Sequence, residues 1–159
     1  MNIFRLDETP ELSAKYHCDK HCVKMILESA QMLSTTHHFH NSRFKHLVYR
    51  PTHKHHPCNL WCRETSENYK WLFKLFNSLL LEYQKRYKKH HKCWALIKYL
   101  AYNPCPKGEL TPFAQAMPNQ YKNKCSIKAY RDYYINEKRY FSKWRYSETP
   151  SWWIINTPI

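Results

Sequence analysis

Residues 17–31 read HCDKHCVKMILESAQ. Apolar residues recur here as they do in a buried helix, yet His17, His21, Lys24, Glu28 and Gln31 interrupt them at intervals of four, three, four and three. At about 100° per residue these five side chains fall within roughly 40° either side of one direction. Cys18, Cys22, Met25, Ile26, Ser29, Met32 and Leu33 occupy one flank and the back, and Val23, Leu27 and Ala30 extend the apolar surface. An ordinary surface helix is polar over about half its circumference. The pattern therefore predicts a largely buried helix with one narrow polar line.

Two readings of that line stand side by side. One is an exposed strip with i,i+4 pairing such as Lys24 with Glu28. The other is the floor of a cleft where a carboxylate, an amine and two imidazoles exchange protons, the amine becoming a nucleophile. On the second reading Lys24, Glu28, His21, His17 and Gln31 are the candidate catalytic residues.

The surrounding chain supports a helical fold. Its 159 residues are 43% hydrophobic and 16% aromatic, enough for one packed core. The single glycine, Gly108, excludes the glycine-rich phosphate cradles of Rossmann and P-loop proteins and disfavours two-residue β-hairpins. The expectation is one all-α domain over residues 1–159, with about four main helices and long irregular loops. Thr9-Pro10-Glu11 starts the first helix through a cap, a first-turn proline and an acidic residue at the positive helix end. That helix is predicted to run to about Thr36.

A second helix is predicted from Asn59 to about Lys89, with Leu60, Tyr69, Leu72, Phe73, Phe76, Leu79, Leu80, Tyr83 and Tyr87 as its core stripe. A third spans Cys93 to Tyr102 and a last one Ser126 to about Trp144. Met1 to Leu6 is short, apolar-rich and extended. The tail 147–159, with adjacent Trp152 and Trp153, is expected to lie over the body. Phe113 and Met117 are expected to cap the core, with the wall of a base pocket as the alternative.

Lys and Arg total 26 against 12 Asp and Glu, a net charge of +14 with eleven His besides. Such an excess on a small domain points to DNA or a nucleotide as partner. The loop 37–57, HHFHNSRFKHLVYRPTHKHHP, is long for a compact domain. It leads into a helix start, where backbone amides favour an anion. Arg50, His53, Lys54, His56, Trp61 and Arg63 are the candidate nucleic-acid-binding residues, Trp61 by stacking.

Seven Cys with no preceding signal peptide read as reduced thiols in the cytoplasm or nucleus. His17-x3-His21, Cys18-x3-Cys22 and Cys58-x3-Cys62 have the spacing of helical zinc ligands, but there is neither a CxxC pair nor HExxH. The expectation is no metal, no cofactor, no membrane span and a monomer.

Four motifs carry a resemblance. HCDKHCVKMILESAQMLST at 17–35, THKHHPCNLWCRETSENYKWL at 52–72, LTPFAQAMP at 110–118 and YRDYYINEK at 130–138 resemble those of small helical proteins of phages and large DNA viruses. More distantly, ELSAKYH at 11–17 and LLLEYQKRY at 79–87 are similar to the pyrimidine-dimer DNA glycosylase (endonuclease V-like) superfamily. That resemblance implies a compact, basic, all-helical protein with its N-terminal segment threading the body. It also implies an amine that attacks C1′ of a damaged nucleotide with help from one glutamate, then strand cleavage by elimination.

The phage enzyme uses the amine of a small residue exposed by methionine removal, whereas Asn2 leaves Met1 in place here. The amine is then that of Lys24 or of Met1, and Glu28 is the nearest glutamate. Two alternatives remain at this stage: an enzyme acting on a free nucleotide or modified nucleobase, and a non-enzymatic binder of nucleic acid or a host factor.

Overall fold

The computed structural model describes residues 1–156. It contains seven α-helices and no strand among those residues: α1 (Pro10–Tyr16), α2 (Asp19–Phe39), α3 (Pro57–Glu64), α4 (Ser66–Tyr87), α5 (Ile97–Leu100), α6 (Ser126–Glu137) and α7 (Ser151–Ile155). The two long helices, α2 and α4, lie against each other, with α1 on α4 and α3 against both. Ile26, Met32 and Leu33 of α2 meet Tyr69, Leu72, Leu75, Phe76, Leu79 and Leu80 of α4 in one core, closed by Tyr130 and Tyr134 of α6. The all-α expectation holds.

Each predicted long helix is broken once. The first divides at His17 and Cys18, whose ψ angles of 132° and 163° are extended. No glycine or proline marks this point. Arg86 makes the break: its side chain is fully buried, and it donates to the carbonyls of Lys15 at 3.0 Å and His17 at 2.8 Å. It is balanced by Asp19 at 3.3 Å and Glu82 at 3.0 Å. From the other side, the Cys18 amide donates to the Tyr134 hydroxyl at 3.1 Å. Carbonyls freed by the end of α1 thus find a guanidinium, which satisfies backbone groups that burial would otherwise strand.

The second predicted helix divides at Thr65, whose Oγ1 caps α4 by accepting from the Asn68 amide at 3.1 Å. The buried Asn68 side chain donates to Trp61 O at 2.8 Å and Thr111 Oγ1 at 2.7 Å, and accepts from the Thr111 amide at 2.9 Å. It ties α3 to the loop 101–125 between α5 and α6. Gly108 crosses this break so closely that a Cβ would lie 3.0 Å from Thr65 Cβ and Cγ2.

Two further boundaries and one core assignment differ from expectation. The third helix is a 3-10 stretch (Lys92–Leu96) followed by the single α-helical turn of α5. The last long helix ends at Glu137 rather than Trp144, where Lys138 adopts non-helical angles. Leu60 is 44% exposed and lies off the core, because α3 turns away from α4 at Thr65.

The tail packs as expected through Trp152, which is buried, and Trp144 Nε1 donates to Tyr16 O at 3.0 Å. The rest of the tail, 157–159, lies outside the described residues. Phe113 is buried against Trp61 and Trp71, and Met117 is half-buried against the core.

The N-terminal segment enters this body with Ile3, Phe4 and Leu6 buried. Phe4 sits 4.6 Å from His21, 5.4 Å from Tyr134 and 5.7 Å from Tyr130. No helix among the described residues is long and apolar enough to cross a membrane.

Candidate active site

The polar line of α2 is the seat of the N-terminal segment. Phe4 covers His21, and the amine of Met1 meets Glu28 Oε1 at 2.9 Å. The geometry is consistent. Seven residues of helix rise about 10 Å, and three residues of near-extended chain span about the same. The segment therefore runs antiparallel to α2, one end on His21 and the other on Glu28. Burial of Phe4 and Ile3 fixes the amine's position along the helix.

The side chains on either side of this contact are largely shielded. The Met1 side chain is 2% exposed and that of Glu28 13%. An amine and a carboxylate in contact form a charge-assisted hydrogen bond and a direct route for a proton.

Residue 2 is held as firmly as residue 1. Asn2 Nδ2 donates to Ala116 O at 2.9 Å. Its Oδ1 accepts from the Ile3 amide at 2.9 Å and from the Cys58 thiol at 3.5 Å. The Tyr130 hydroxyl shares its proton between Asn2 Oδ1 at 2.9 Å and Ala114 O at 2.7 Å.

The loop before α3 forms the opposite wall. Asn59, buried at 1% exposure, donates through Nδ2 to Thr52 O at 3.1 Å and His53 O at 2.8 Å, with Met1 Sδ packed 3.4 Å from the same nitrogen. These bonds hold His53 at φ 49°, a left-handed conformation that a histidine adopts only when its surroundings impose it. His56 caps α3, its Nδ1 accepting from the Cys58 amide at 3.0 Å, so in the neutral ring the proton sits on Nε2. Burial, then the charge of the Met1 amine, then His53 lower its pKa.

The five residues of the polar line separate. Glu28 meets the amine. Lys24 is exposed one turn before it, and Gln31 is half-buried about one turn after. His17 and His21 lie in the interior, at 0% and 4% exposure. His17 Nδ1 donates to Ser13 O at 2.6 Å, while His17 Nε2 and His21 Nδ1 have no partner. Burial pushes His17 down to about 4 and His21 down to about 2, so both rings are neutral near pH 7.

On the loop, Arg50, His53 and Lys54 are exposed, His56 and Arg63 half-exposed. Trp61 is 4% exposed; it stacks on Phe113 at 4.6 Å and donates to Thr111 O at 3.2 Å. Its ring is committed to packing.

Beyond Gln31, the face that carries Glu28 continues through Thr35 and His38. There it borders a cavity of about 200 Å³ lined by Thr35, His38, Phe39, Pro51, Lys54 and Arg63. Arg63 lies 4.2 Å above the Phe39 ring and donates to Lys54 O at 2.8 Å. Thr35 Oγ1 joins the cavity to the amine site by accepting from the Thr52 amide at 3.1 Å. Asn2, Asn59, Thr52 and Tyr130 were not legible as site residues. Thr52, Asn59 and Tyr130 belong to the motifs at 52–72 and 130–138, and Asn2 lies outside all of them. No group of three or more His, Cys, Asp or Glu able to hold a metal occurs among the described residues, and all seven cysteines are free thiols.

A helical body that threads its own N-terminus inside and sets the terminal amine on a glutamate defines a narrow class of site. The chain belongs to the pyrimidine dimer DNA glycosylase family, which it matches over residues 1–95. That span includes Met1, Glu28 and the whole of the loop before α3. No curated protein and no solved structure matches it.

Proposed function

We propose that the protein is a DNA glycosylase with lyase activity in which the Met1 amine is the nucleophile and Glu28 its proton acceptor. The observation that carries this reading is the 2.9 Å contact between that amine and Glu28 Oε1, in a chain of this family. The amine must shed a proton before it can attack, and Glu28 is the group within hydrogen-bond reach of it.

The neutral amine then bonds to C1′ of the damaged nucleotide. The bond from C1′ to the base breaks, and the base leaves with the electron pair and takes up a proton. Ring opening gives an iminium whose positive charge lies beside the Glu28 carboxylate. Loss of a C2′ proton expels the 3′ phosphate, and water releases the amine. Arg50, Lys54 and Arg63, with His53 and His56, supply phosphate contacts around the amine; the net charge of +14 draws the duplex in. His17 and His21 have no part in this scheme, being neutral and covered by Phe4.

The test is borohydride trapping on a duplex carrying a cyclobutane pyrimidine dimer, followed by peptide mapping of the adduct. The expected adduct is on Met1, and Glu28→Gln should reduce its formation at least about 100-fold. An adduct on Lys24, or none on this lesion, would sink the assignment.

A further inference from the structure

We infer that Asn2 is a positioning residue that sets where the nucleophilic amine sits, and that the site is built around a methionine that stays on the chain. The inference rests on the reading of Met1 as nucleophile and concerns what places it.

Asn2 is 7% exposed, and both ends of its amide are engaged. Its partners come from three separated parts of the chain: Cys58 of α3, Tyr130 of α6, and Ala116 of the loop before α6. Nothing in a helical core requires an asparagine at such a point. An apolar residue would fill the volume without needing hydrogen bonds, and a buried amide is tolerated only because it is satisfied. What these bonds fix is rotation and translation of the chain one residue from the amine.

Met1 adds the second constraint. Its side chain is 2% exposed, packs on the core, and brings Sδ to 3.4 Å from Asn59 Nδ2. The amine therefore hangs from a residue anchored by its own side chain and by its neighbour. Asn2 is also too large for the usual removal of an initiator methionine, which requires a small second residue. Size at position 2 preserves Met1, and the amide at position 2 aims it.

Without Met1 the amine would sit on residue 2, one Cα step of about 3.8 Å along the chain, inside the Asn2 cradle and out of contact with Glu28. A displacement of about 1 Å is enough to cost on the order of 100-fold in rate.

The experiment uses Asn2→Ser, prepared in two forms: one with Met1 retained under an aminopeptidase inhibitor, the other with Met1 removed by co-expressed aminopeptidase. Intact mass confirms each terminus, and melting curves confirm folding. A second variant keeps Asn2 and adds one glycine before Met1 by protease release. Each is assayed by borohydride trapping and by single-turnover cleavage of dimer-containing duplex.

The retained form should still form its adduct on Met1, several-fold more slowly and with unchanged KM, the signature of misaimed rather than unbound substrate. The processed form and the glycine-extended form should each fall at least about 100-fold. Processed Asn2→Ser, or the extended chain, reacting within several-fold of the retained form overturns the inference while leaving the nucleophilic amine intact. Absence of any adduct with the unmodified protein overturns both.

Discussion

Acidification from about pH 7.5 to about pH 5 should strip much of this protein's stability through three buried histidines. His17, His21 and His37 are 0%, 4% and 0% exposed. Burial pushes their pKa values down to about 4, about 2 and about 4, from an ordinary value of 6.5. Each ring binds its proton more readily in the unfolded chain than in the folded one. The contribution to stability is therefore whole above about pH 6.5 and is lost as pH falls through that value, the loss continuing down to the folded pKa. At about pH 5 the unfolded rings are almost fully charged and the folded ones neutral, which costs about 2 kcal/mol for each histidine and about 6 kcal/mol together. That is comparable to the entire stability of many domains. His56 and His91, whose pKa values burial also lowers, act in the same direction. Urea unfolding followed by circular dichroism at the two pH values measures the difference, and His21→Phe should shrink it by about 2 kcal/mol. A difference below about 1 kcal/mol, or one that His21→Phe leaves unaltered, would refute the assignment of these rings as neutral and buried.

Arg86→Met should cost about 3–5 kcal/mol, because it leaves Asp19 and Glu82 without their cation and the Lys15 and His17 carbonyls without a donor. Thermal melting reads the loss, and a change under about 1 kcal/mol would mean the break between α1 and α2 is held by something else. In DNA binding, Arg50→Ala and Lys54→Ala should each lower the slope of log affinity against log salt by about 1. Trp61→Phe should leave that slope unchanged, since its ring lies on Phe113; a fall in affinity confined to this variant would return Trp61 to the interface.

The helical class was legible because α2 and α4 keep a helical period over more than five turns and one glycine leaves few other folds. The breaks were not. Apolar spacing continues through Thr65, although a threonine three residues before Asn68 is a capping signal in its own right. At His17 and Cys18 no local signal exists: the break is imposed by Arg86, distant in sequence, and by Tyr134, more distant still. That Glu28 lies on a polar line was legible, and that the Met1 amine meets it there was not. His21 occupies the same face, and only the path of Phe4 decides that one is covered and the other reached. Trp61 looked like a stacking surface because an aromatic ring beside a basic loop reads the same whether its faces are open or filled.

The clamp on Asn2 has a consequence for biosynthesis. Tyr130, which holds Asn2, is 128 residues away from it, and the chain between includes all of α1 to α5. Synthesis proceeds from the N-terminus, and contacts of such separation close late. The second residue to leave the ribosome is thus among the last to complete its surroundings. A nascent chain stalled before α6 carries an Asn2 that lacks its Tyr130 partner, and on the function proposed here its amine is not fully aimed until about four-fifths of the protein has been made.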